Sequence, residues 1–128
     1  MNRTILTAIL FVSLFAVACG GRNSQAGNAA GLEVTAYAAS ERVGQTTLEI
    51  ELIDADGSPI DDAAIAVKGD MTHAGMQPVL ADGATFENGV YSLPFEWTMA
   101  GDWFLTLDIT LADGTMVTER IDGYEITE

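Results

Sequence analysis

The chain of 128 residues carries 19 acidic side chains against 5 basic ones, a formal charge of −14. That balance repels nucleic acid and anionic lipid headgroups, so neither is expected as an electrostatic partner, and it favours long-range attraction of cations. With one cysteine, Cys19, no intrachain disulfide can form.

The chain opens with a short positive region at Arg3, followed by an apolar run over residues 5–18 that only Thr7 and Ser13 interrupt. That run is short for a membrane span and has the proportions of a signal peptide, assigned here to residues 1–18. It ends in Leu14, Phe15, Ala16, Val17, Ala18 and Cys19, which resembles the lipobox of bacterial lipoproteins, with Ala16 where that pattern prefers Leu. The resemblance implies that Cys19 is lipidated and becomes the new N-terminus. The protein is then expected in the cell envelope, membrane-anchored through lipid and facing the periplasm or the extracellular side. Residues 20–31 are rich in Gly, Asn, Ser and Ala and read as a flexible tether, leaving residues 32–128 as one folded domain.

Residues 33–38 form a weak first strand. Residues 46–53 are clearer, because Leu48, Ile50 and Leu52 alternate with Glu49 and Glu51, the period of a strand with one wet face. Gly57 and Pro59 then supply turn chemistry. Asp54, Asp56, Asp61 and Asp62 invite a calcium loop, but the pattern needs Gly at its sixth position and a bidentate Glu at its twelfth, and neither is present. Ile65 and Val67 mark a third strand, and a short apolar piece at residues 78–80 a fourth. Tyr91, Leu93, Phe95 and Trp97 share one face of the next, where Pro94 demands a sheet edge or a bulge. Trp103, Leu105, Leu107, Ile109 and Leu111 share a face of another, and Asp113–Gly114 turns the chain into the last strand.

These strands, with glycine-rich turns and no helical period, predict an all-β, immunoglobulin-like antiparallel sandwich of about seven strands. Trp97 and Trp103 are expected in its core. Up-and-down parity then puts the loop after the third strand and the loop after the fifth at one end. Met71, His73 and Met76 belong to the first loop and Met99 to the second. Two strands between residues 77 and 88, or none, would send Met99 to the far end.

Four pieces in order resemble the YtkA-like family, which is related to FixH-like domains. They are Asp56-Gly57-Ser58-Pro59-Ile60, Met71-Thr72-His73-Ala74-Gly75-Met76, Gly89-Val90-Tyr91 and Met99-Ala100-Gly101-Asp102-Trp103. The resemblance implies an immunoglobulin-like sandwich in an exported or membrane-attached protein, loosely associated with copper handling and with oxidase or transporter accessories. Thr72 and Ala74 depart from the closer Met/His spacing of that family's loop.

Two functions follow. Thioether sulfur selects Cu(I) over hard ions, and neutral imidazole suits the same ion, so Met71, His73, Met76 and Met99 form a candidate soft-metal site. Zinc fits less well, because only one imidazole exists. The same methionines also suit a role as adaptable plugs at the open end of the sandwich. The alternative function is a non-enzymatic interaction module that docks an envelope or membrane-complex protein on its sheet edges. Catalysis is not expected, since no nucleophile–base pairing has a recognisable spacing.

Overall fold

The computed structural model describes residues 27–29 and 31–128, so the expected signal peptide, Cys19 and most of the expected tether lie outside the described residues. Nine strands are described: β1 (Gly27–Ala29), β2 (Leu32–Ala38), β3 (Gly44–Ile53), β4 (Ala64–Met71), β5 (Val79–Asp82), β6 (Thr85–Glu87), β7 (Val90–Trp97), β8 (Gly101–Thr110) and β9 (Met116–Ile126). They form two antiparallel sheets, ordered β1-β2-β3-β7-β6 and β5-β4-β8-β9. The succession β2-β3-β7-β6 corresponds to the A-B-E-D sheet of immunoglobulin constant domains, and β4-β8-β9 to its C-F-G partner. The all-β sandwich expected from the sequence is therefore the fold.

Alternation explains each layer. Leu48, Ile50 and Leu52 of β3 face Leu93 and Tyr91 of β7 on one inner surface; Ile65 and Val67 of β4 and Leu105, Leu107 and Ile109 of β8 line the other. Each such side chain stabilises the sandwich by about 1.5–3 kcal/mol relative to exposure. Trp97 and Trp103 are both in the core, their rings 5.4 Å apart and edge to face, with Tyr124 5.5 Å from Trp97. Glu119 occupies a buried position on β9.

Three details differ from the sequence reading. Among the described residues the sheet starts at Gly27, because β1 pairs with β2 inside the stretch expected to be tether. The short fourth strand is two strands, β5 and β6, which brings the parity condition for Met99 into play. Yet β5 is antiparallel to β4 and β6 is antiparallel to β7, so the two run in the same direction. They are one extended run that changes sheet at Gly83, whose φ of +78° turns a corner that L side chains resist. Parity therefore counts them as one strand. Pro94 also meets its condition: β6 pairs only with residues 90–92 of β7, leaving Pro94 beyond the covered stretch.

Candidate metal centre at the β4–β5 and β7–β8 loops

β4 and β8 are antiparallel partners, and Met71 at the end of one lies opposite Trp103 near the start of the other. The loop over residues 72–78 and the loop over residues 98–100 therefore leave the same end of the sandwich. Two hydrogen bonds fix this arrangement. The Thr72 N–H donates to the Asp102 carbonyl at 3.0 Å, continuing the β4–β8 ladder past its last pair. The Trp103 indole N–H donates to the Met99 carbonyl at 3.0 Å, tying the second loop to the core.

The four residues expected to hold a metal are placed differently from one another. Met71 continues the inward row of Ile65, Val67 and Gly69 and is buried. Its methyl lies against Gly101, where a Cβ would stand 2.6 Å from Met71 Cε. Met71 is thus part of the buried core cluster. Met76 is half-buried and packs on the core. His73 is exposed in the bend before Ala74 and Gly75, and Met99 is 45 % exposed. Both loops offer soft donors at this end, two thioethers and one imidazole outside the core, a set whose chemistry fits Cu(I). Among the described residues no three His, Cys, Asp or Glu side chains come together as a metal-binding group. Asp54 is instead occupied by its own turn, its Oδ1 accepting from the Asp56 and Ser58 N–H groups at 2.9 Å each.

The outer face behind the loops carries charge in pairs. Lys68 Nζ is 3.4 Å from Asp70, and Arg120 lies 3.6 Å over the Phe104 ring while bonding Asp122 at 2.8 Å. The hydrogen bonds that Arg120 donates to the Asp122 carboxylate push its guanidinium further up from its already high value.

The YtkA-like family model matches residues 27–108. The chain belongs to the YtkA-like family. The match begins at Gly27, the first residue of β1, and takes in both loops of this YtkA-like domain. No curated protein and no solved structure matches the chain.

Sequence reasoning did not single out Gly101, although it sits within a quoted family segment. A glycine two residues ahead of an inward Trp, with a long inward side chain paired across the ladder, is the signal that points to it.

Proposed function

We propose that this chain is an exported, lipid-anchored YtkA-like module that holds a soft metal ion, Cu(I), between its β4–β5 and β7–β8 loops. His73, Met76 and Met99 would hold the ion, and Met71 roots the first loop in the core. The observation that carries the reading is the Thr72–Asp102 hydrogen bond, which makes two donor-bearing loops neighbours. A bound Cu(I) would be kept reduced by thioether ligation, which suits storage or transfer rather than catalysis. The acidic chain adds long-range attraction for cations.

The test is a competition titration of Cu(I) against a chromogenic chelator under reducing conditions, comparing wild type with His73→Ala and Met99→Leu. Both substitutions sit on exposed side chains, so the fold is preserved. The reading expects one ion bound by wild type and at least about a tenfold loss of affinity in each variant, a change of ~1.4 kcal/mol. Equal affinities in all three proteins would end it.

A further inference from the structure

The β6–β7 hairpin turns at the end of the sandwich opposite the loops proposed to bind metal, about 24 Å from Trp97 along the length of β7. Its ladder pairs are Thr85–Ser92, Phe86–Tyr91 and Glu87–Val90, so Asn88 and Gly89 alone make the turn. Both have positive φ, +53° at Asn88 and +84° at Gly89, the signature of a type I′ turn. Asn88 is the one described residue other than glycine in that region of backbone space. Asn and Asp enter it more readily than other residues that carry a side chain.

Asn is a labile residue, and most labile before Gly, which leaves its own backbone nitrogen unhindered. Here little shields the pair. Asn88 is exposed, and its side-chain amide makes no hydrogen bond among the described residues. The space where a Gly89 Cβ would stand is open. The Gly89 N–H belongs to the turn and lies outside the ladder pairs. β6 is three residues long at the edge of its sheet, so opening the hairpin costs little. Asn28, the other described asparagine, precedes Ala29 and sits inside β1 opposite Glu33. Asp56, Asp82, Asp113 and Asp122 also precede glycines, but a carboxylate is a poor electrophile. That of Asp113 is further held by the Thr115 N–H at 2.9 Å.

We infer that Asn88 is a self-modifying site, at which the turn converts to aspartate and isoaspartate without an enzyme. The Gly89 backbone nitrogen bonds to Asn88 Cγ and gives up its proton, and the side-chain nitrogen leaves as ammonia. The product is a five-membered succinimide, and no electrons are lost or gained. Water then opens the ring at one of its two carbonyls. Opening at the side-chain carbonyl gives an aspartate, which adds one negative charge and still tolerates positive φ. Opening at the main-chain carbonyl gives isoaspartate, whose backbone runs through the former side chain and is one atom longer. A two-residue turn closed by the Glu87–Val90 pair does not accommodate that atom. The isoaspartate form therefore releases β6, parts Phe86 from the Tyr91 ring and bares the β7 edge at residues 90–92. None of this depends on whether the loops at the other end hold a metal.

The test ages the purified protein at mildly alkaline pH and maps it by peptide mass spectrometry, with isoaspartate detected by an isoaspartyl methyltransferase. The expected result is the amide-to-acid mass gain on the peptide that holds Asn88, together with isoaspartate, at a rate that rises with pH. Asn88→Gly, which suits positive φ, should abolish both signals. Thr85→Gly changes an exposed side chain and weakens β6, so the mass gain should appear about fivefold faster, equivalent to ~1 kcal/mol of easier opening. In the isoaspartate fraction, hydrogen exchange at the Ser92 amide should accelerate while exchange at Leu105 holds. A mass gain elsewhere or none, or isoaspartate without a mass gain, which would come from an Asp–Gly pair, would overturn the inference. So would a rate unmoved by Thr85→Gly, or unchanged Ser92 exchange.

Discussion

Met71 Cε lies so close to Gly101 that a Cβ built there would stand 2.6 Å away, at a backbone position whose φ is +137°. One residue type is therefore required for two reasons, space and conformation. Gly101→Ala should destabilise the domain by about 2 kcal/mol, from overpacking together with a disfavoured φ. Shortening the neighbour relieves only the first reason. In urea unfolding, Gly101→Ala should cost less in a Met71→Ala background than in wild type, with an interaction of about 0.5–1 kcal/mol. Strict additivity would mean that the two side chains do not compete for the same space.

Tyr91 acts as a pin between layers. Its hydroxyl donates to the Ile60 carbonyl at 2.6 Å and accepts from the Ala63 N–H at 3.1 Å, so one side chain satisfies two backbone groups of the β3–β4 connection. Phe86 packs against its ring at 4.8 Å. Tyr91→Phe keeps that packing and removes both bonds. The expected cost is about 1–3 kcal/mol, and hydrogen exchange should accelerate at the Ala63 amide more than at strand amides of β8. An unchanged Ala63 exchange rate would show that the connection is held by other contacts.

The alternation in β3, β7 and β8 was readable because one face of each strand is wet, and a period of two needs no tertiary knowledge. Leu48, Leu93 and Leu107 fall where that period puts them. The β5–β6 run was harder. A strand that moves from one sheet to the other exchanges its inner and outer neighbours midway, so Val79, Ala81, Ala84 and Phe86 are only half-buried and no clean period survives. β1 was missed because three residues of Gly, Asn and Ala carry no apolar signal, yet they pair with Leu32–Val34 of β2. At the loops, the residue types pointed to this end of the sandwich, while the division of labour did not show. Met71 and Met99 look alike in a string of letters, and only the β4 pleat sends Met71 inward.

The aromatic cluster beneath the loops makes a further prediction. Trp97 is fully buried, donates its indole N–H to the Ser40 carbonyl at 2.8 Å and meets Phe95, Trp103 and Tyr124 at centroid distances of 4.9–5.5 Å. Trp97→Ala should cost about 3–5 kcal/mol, a large fraction of the stability of a domain this size. Trp97→Phe is the milder probe: it retains a ring but leaves the Ser40 carbonyl without its donor, so a loss of about 1–3 kcal/mol is expected. The coupled circular-dichroism signal of two indoles in edge-to-face contact should vanish in Trp97→Phe and in Trp103→Phe alike. Its survival in either variant would place its origin elsewhere.

Tyr124 sets an alkaline limit. Its hydroxyl donates to the Ala36 carbonyl at 2.8 Å in a buried position that joins β9 to β2. Burial first, and then the charges of Glu41 and Tyr37, push the phenol well above its ordinary value near 10. The folded state thus holds the proton more tightly than the unfolded state, and the stability this gives is fully present below about pH 10. Above that, the unfolded chain loses its phenol proton while the folded protein keeps it, so stability falls by up to ~1.4 kcal/mol per pH unit until the folded-state value is reached. Thermal unfolding followed from neutral to alkaline pH should show this decline in wild type. Tyr124→Phe should start about 1 kcal/mol lower at neutral pH, having lost the hydrogen bond to Ala36, and then decline less steeply. Some slope should persist in the variant, because burial raises the Tyr91 phenol in the same direction. The two stability curves are therefore expected to converge as pH rises, and parallel curves would show that the alkaline limit is set by a group other than Tyr124.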